Sequence, residues 1–213
     1  MKISTRVLLL ARLARLTPLA AISLFAGLVP TAHAAITSVS GSVVQIGAPV
    51  SCTPGALTGF LTSAWDEAQN VSYTNLPVDE SQNPGSNAGA IAGLLNGPND
   101  SHFLHFEPLP GAIGSSGTIT FSGPISGIMF INNTLDLTDG NGVGTIYPTT
   151  FPFRGLNSAS LVSYSGNTLQ FNFATAVPNI DVIQVRVMTR SIPAPGAAGL
   201  ALAGGLIAFR RRR

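Results

Sequence analysis

The chain has 213 residues, of which 9% are charged, against about a quarter in an ordinary soluble domain. Its 11 basic residues outnumber its 9 acids, but the cations are gathered at the ends: Lys2, Arg6, Arg12 and Arg15 come first, and Arg210, Arg211, Arg212 and Arg213 close the sequence. Between them Arg154, Arg186 and Arg190 stand against all 9 acids, so residues 35–190 carry a net charge of −6 and no lysine; without a cationic cluster to neutralise a run of phosphates, nucleic-acid binding is excluded.

The N-terminal cations lead into an apolar run from Leu19 to Val29, then Pro30 and Thr31-Ala32-His33-Ala34. Small residues at Ala32 and Ala34 around a tolerant position form a signal-peptidase site, which predicts a signal peptide over residues 1–34, cleavage before Ala35 and an exported product. An uncleaved membrane anchor is the other reading; Pro30 and the paired alanines favour removal.

A body spanning residues 35–190 is large enough to bury about 70% of its unfolded surface in one core, so one domain is expected. Ile36 to Ile46 alternates small polar with β-branched residues and reads as strand. Cys52 is the only cysteine, so no intrachain disulfide forms, and it reads as a small, partly buried side chain rather than a reactive thiol. Ala88 to Leu95 is compatible with one or two helical turns, weakened by Gly89 and Gly93.

Asp100-Ser101-His102-Phe103-Leu104-His105-Phe106-Glu107 is the one segment that gathers catalytic residue types. On a helix His102 and His105 would share a face. As a strand, which Phe103, Phe106, Pro108 and Pro110 favour, His105 and Glu107 take one face and His102 and Leu104 the other, so the imidazoles cannot bind a metal together. The expectation is two structural histidines and no catalytic centre. No nucleophile elbow, His-Glu-x-x-His or Walker loop occurs.

Gly117 to Phe121 alternates again, and Ile125 to Ile131 is a short apolar run. Asp136-Leu137-Thr138-Asp139-Gly140-Asn141-Gly142 reads as a turn, or as an oxygen-rich loop in which Asp136, Asp139 and Asn141 are candidate calcium ligands; EF-hand spacing fails, because the twelfth residue from Asp139 is Thr150. No other cofactor is indicated. Asn70, Asn99 and Asn132 begin glycosylation-type triplets.

Leu161 to Tyr164 and Asn167 to Phe173 form a hairpin through Ser165-Gly166-Asn167, with Leu169, Phe171 and Phe173 inward and Thr168, Gln170 and Asn172 outward. Ile180 to Met188 repeats the alternation, Ile183, Val185 and Val187 opposing Gln184, Arg186 and Met188. Strands punctuated by Gly, Pro and Asn, without a long amphipathic helix, predict a mainly β fold: a single antiparallel β-sandwich.

Residues 191–213 have a different grammar. Ile192-Pro193-Ala194-Pro195 precedes an uncharged run of 14 residues, Gly196 to Phe209, and then the four arginines. As a helix that run reaches roughly 21 Å, short of the roughly 30 Å hydrocarbon core, while the arginines fix its cytoplasmic end.

This tripartite tail resembles the PEP-CTERM sorting signal of Gram-negative bacteria, in which a short proline motif, a hydrophobic helix and an arginine cluster are recognised by an exosortase. Ala194 stands where the usual motif has glutamate. The tail type is sometimes labelled the C-terminal domain of ice-binding proteins, a label that carries no statement about ice. Islands in the body (Trp65 to Val71, Asp100 to Pro108, Gly144 to Pro148, Ser165 to Leu169) are similar to the β-rich ectodomains of exported PEP-CTERM proteins. The resemblance implies signal peptidase and exosortase as partners, transient anchoring in the inner membrane, cleavage or transfer near Pro193 to Pro195, and a final place on the outer surface or in the extracellular matrix.

Two functional classes follow. The first is a non-catalytic envelope or matrix protein in adhesion, contact with extracellular polysaccharide or biofilm assembly; the second is a secreted hydrolase using Asp100 to Glu107.

Overall fold

The computed structural model describes residues 35–82, 89–142, 144–175 and 182–192. The predicted signal peptide and its cleavage residues Ala32 and Ala34 lie outside the described residues, as do Pro193, Ala194, Pro195, the hydrophobic run and Arg210 to Arg213. Ala35 and Ile192 are the described residues next to them. The fold is mainly β. Among the described residues no helix is long and apolar enough to cross a membrane.

The strands are β1 (Ile36–Gly41), β2 (Val43–Gln45), β3 (Thr58–Gly59), β4 (Thr62–Asp66), β5 (Val71–Val78), β6 (Gly93–Pro108), β7 (Gly114–Phe121), β8 (Ile125–Met129), β9 (Leu161–Ser165), β10 (Thr168–Ala174) and β11 (Ile183–Arg190); α1 (Asn132–Thr138) follows β8. One sheet has the order β1-β7-β10-β9; the other has β2-β4-β6-β11-β8, with β3 and β5 also paired to the long β6.

The smaller sheet is antiparallel throughout, and its hairpin follows the sequence closely: Ser165 pairs with Thr168 across Gly166 and Asn167. Gly166 takes φ 60°, as a two-residue hairpin turn demands. The larger sheet departs from the all-antiparallel expectation, because β2 runs parallel to β4 and β3 parallel to β6. The cause is a corner inside the segment read as a single strand. Gly41 turns at φ 85°, where a Cβ would sit 2.6 Å from the carbonyl oxygen of Ser116, so β1 stays in one sheet and β2 enters the other. Residues 46–61 then provide the long crossover that a parallel neighbour needs.

Both sheets feed one apolar cluster: Ile119, Leu169, Phe171 and Phe173 from the smaller, Leu104, Phe106, Val185 and Val187 from the larger. Phe106 stacks on Phe173 with ring centroids 6.5 Å apart. A second cluster lies on the opposite face of the larger sheet, where Cys52, Leu135 and Tyr147 cover Trp65, Phe103, Met129 and Met188. Consequently β11 is buried on both sides: Gln184, Arg186 and Met188 are as inaccessible as Ile183, Val185 and Val187. The alternation expected for this strand holds, while the face opposite the main core is covered rather than solvated.

Two local readings change. Gly93 to Leu95 begins β6 instead of continuing a helical turn. Asp136 and Thr138 belong to α1, and Asp139–Asn141 is a 3-10 turn, so the Asp-rich stretch is the end of a helix. No side chain of its own caps α1. Asp79 does so from a distance, accepting from the N–H groups of Phe130 at 2.7 Å and Ile131 at 2.8 Å and from the Thr134 hydroxyl at 2.7 Å.

Candidate functional site

The catalytic residue types between Asp100 and Glu107 all fall on the second half of β6, where β11 pairs along one side and β4 along the other over His102 to His105, with Glu107 beside β3. Strand alternation sends His102 into the inter-sheet core with Leu104 and Phe106, and Ser101, Phe103, His105 and Glu107 to the opposite face. The two imidazoles are therefore separated by the sheet, as the strand reading requires. Both are fully buried.

On the core side His102 joins neighbouring strands. Its Nδ1 lies 2.6 Å from Asp66 Oδ1 on β4, and its Nε2 lies 2.9 Å from the Thr189 hydroxyl on β11. A carboxylate only accepts, so Nδ1 carries the proton, and in the neutral ring Nε2 accepts from Thr189. A carboxylate, an imidazole and a hydroxyl are thus aligned in the order used by nucleophilic hydrolases. Thr189 is 0% exposed, however, and the imidazole is packed 4.6 Å from the Phe121 ring. The hydroxyl is closed off from solvent in the folded chain, and the chain of bonds ties β4, β6 and β11 together.

On the other face the charged side chains form a buried network. Arg186 donates to Glu67 through Nε at 2.7 Å and Nη2 at 3.0 Å, and to the Leu135 carbonyl and Thr138 hydroxyl of α1. Its guanidinium lies 4.8 Å from the Phe103 ring centroid and 5.2 Å from that of Tyr147. Burial by itself would lower the Arg186 pKa; the charge and hydrogen bonds of Glu67 outweigh it and raise it above the ordinary arginine value. Ser101 and Tyr147 also donate to Glu67, whose four bonds satisfy both carboxylate oxygens.

Arg154 closes a second fork, reaching Asp136 Oδ1 at 2.7 Å and Asp139 Oδ1 at 2.6 Å. The carboxylates proposed as calcium ligands are thereby ion-paired to an arginine that is itself buried. Asn141 lies in the adjoining 3-10 turn, its Nδ2 buried without a partner among the described residues. Among the described residues no three His, Cys, Asp or Glu side chains gather as metal ligands. Sequence reading missed this pairing because residues 136 and 154 are brought together by tertiary structure alone.

Arg154 also fixes a proton on His105, through Gln184. Its Nε donates to Gln184 Oε1 at 2.6 Å, which turns the Gln184 amide nitrogen toward His105 Nδ1 at 2.9 Å and the Cys52 carbonyl at 3.1 Å. His105 is then the acceptor at Nδ1 and protonated at Nε2, facing Glu107 at 3.8 Å. The Glu107 carboxylate also accepts from the Gly55 N–H at 2.8 and 2.9 Å.

Burial would raise the Glu107 pKa, but His105 and the Gly55 N–H hold it below the ordinary 4.5. A carboxyl depressed on folding stabilises the protein above its unfolded pKa, and that contribution disappears as pH falls through the folded value. Glu107→Gln is therefore expected to flatten the acid limb of stability between about pH 5 and pH 3. Denaturation midpoints measured across that range should converge for the two proteins at the acid end; parallel limbs would contradict the assignment.

Cys52 is fully buried beneath this network, and burial pushes its thiol up to about 12. Iodoacetamide at about pH 8 is expected to leave the native protein unmodified and to label it stoichiometrically once unfolded. Labelling of the folded protein would show an accessible thiol.

Of the remaining candidates, Asp100 accepts from the Asn70 N–H and, at 2.8 Å, from Ser191. Asn99 is 2% exposed, so of the triplet asparagines Asn70 is the exposed one and Asn99 is inside. The residues that organise the site and were not singled out from sequence are Glu67, Thr189, Gln184, Arg154 and Arg186. Their one readable signal is scarcity: all the cations of the body number three, and two of them are buried. Comparison with protein-family models, characterised proteins and solved structures finds no match.

Proposed function

We propose that this chain is an exported cell-envelope or extracellular-matrix protein of a Gram-negative bacterium, sorted by an exosortase-type system. Its single β-sandwich ectodomain, residues 35–190, acts without catalysis, through adhesion, glycan contact or biofilm assembly. The observation that carries this reading is the order of the C-terminal segments: Ile192-Pro193-Ala194-Pro195, an uncharged run, and Arg210 to Arg213, behind an N-terminal segment ending in Ala32-His33-Ala34. The burial of the histidines in internal bonds supports the non-catalytic part.

The test is fractionation with N-terminal sequencing of the exported protein. Ala35 is expected as its first residue, and replacing Arg210 to Arg213 by glutamine should leave the protein unprocessed or misrouted. An N-terminus at Met1, or unchanged sorting of the arginine variant, would refute the reading.

A secreted hydrolase is the second reading, favoured by the Asp66, His102 and Thr189 alignment. It requires hydrolytic activity that Thr189→Val abolishes without loss of folding; activity screening of the wild-type and variant chains, with and without calcium, separates the two.

A further inference from the structure

The strands of the smaller sheet present an uncharged outer face. None of the strands β1, β7, β9 and β10 contains Asp, Glu, Lys, Arg or His. The register sets their outward residues in rows. Ser38, Thr120, Thr168 and Ser165 lie side by side, and the next row is Ser40, Thr118, Gln170 and Ser163. Ser116 and Asn172 form a third, which ends in the exposed Leu161 of β9. These positions are exposed or half-buried. The side chains of Ser38, Ser40, Thr118, Gln170, Ser163 and Asn172 hydrogen-bond to no other described residue, whereas the polar side chains on β6 and β11 are largely bonded within the fold.

We infer that this face binds an uncharged polysaccharide, an inference that rests on the exported, non-catalytic reading above. Neighbours about 4.8 Å apart within a row, and rows about 6.8 Å apart along the strands, present hydroxyl and amide groups at a repeat. A polymer with regularly spaced hydroxyls exchanges its bonds to water for bonds to such an array. Ser and Thr are short, so little rotamer freedom is lost on contact, and no charge has to be desolvated. Each bond contributes modestly, and a repeating ligand adds them by multivalency. Charge decides between polysaccharide classes: an acidic glycan would find no cation on these strands and a body of net charge −6 around them.

The test is affinity electrophoresis of the full chain in mild detergent, through gels containing laminarin, dextran or alginate. Retardation by at least one of the two neutral glycans is expected, with none by alginate. Thr118→Glu combined with Gln170→Glu should weaken retardation about tenfold or more, while Thr118→Ser with Gln170→Asn retains it and Arg190→Gln on the other sheet leaves it unchanged. Equal denaturation midpoints confirm that the variants fold. Absence of retardation by both neutral glycans would overturn the inference. So would retardation indifferent to Thr118→Glu and Gln170→Glu, which would leave glycan contact standing on another surface. Retardation by alginate that Arg190→Gln abolishes would move the contact to that arginine. In each of these cases the fractionation result still decides the export reading on its own.

Discussion

Replacing Glu67 by glutamine is expected to cost about 3–5 kcal/mol of stability, a large share of the roughly 5–15 kcal/mol that holds a domain of this kind together. Glu67 and Arg186 are both buried to 0% side-chain exposure, and the substitution leaves a guanidinium in the interior with only Asp139, at 3.5 Å, to balance it. The cost is that of an uncompensated charge, not the net worth of the pair. Adding Arg186→Met to Glu67→Gln should accordingly restore most of the loss, since an apolar side chain of similar length fits between Phe103 and Tyr147. Urea titrations of the two single variants and the double variant give the answer directly. A loss below about 1 kcal/mol for Glu67→Gln would mean that Asp139 takes over the guanidinium.

Phe171→Ala is expected to cost about 3–5 kcal/mol, whereas Gln170→Ala on the other side of the same strand should stay within about 0.5 kcal/mol. Phe171 is 4% exposed and lies 4.7 Å from the Phe173 ring. It also occupies space left by a missing side chain: a Cβ on Gly117 would meet its ring at 3.1 Å and the Ser40 carbonyl oxygen at 2.5 Å. No side chain at residue 117 is there to fill the cavity that alanine leaves. Equal losses at the two positions would place the strand in the wrong register.

The hairpin and β10 were legible because one face is buried and the other wet, which writes period 2 into Leu169, Phe171 and Phe173. The same logic placed His102 and His105 on opposite sides of β6. It failed to read β11 fully, since Arg186 looks like a solvent residue until residues from Cys52, Leu135 and Tyr147 are seen to cover it. β3 and β4 carry too few residues, and β5 too mixed a pattern, to declare a period. The parallel pairing of β2 depends on one glycine corner at residue 41. The Asp66, His102 and Thr189 alignment and the two arginine forks join residues scattered along the chain, as the 119-residue separation of Glu67 and Arg186 illustrates, and no local spacing announces them.

The position of β11 has a consequence for how the protein is made. It lies between β6 and β8 inside the larger sheet, yet along the chain it follows every other described strand and so leaves the ribosome after them. Until it arrives, β6 and β8 have no shared neighbour, Glu67 has no guanidinium, and His102 has no hydroxyl. Local hairpins such as β9 and β10 can form as they emerge, but the sheet that carries the ion network closes only once β11 has been made. Contacts spanning 87 to 132 residues make that closure slow. Under the export reading proposed above, this order of events would keep the chain threadable while it crosses the membrane.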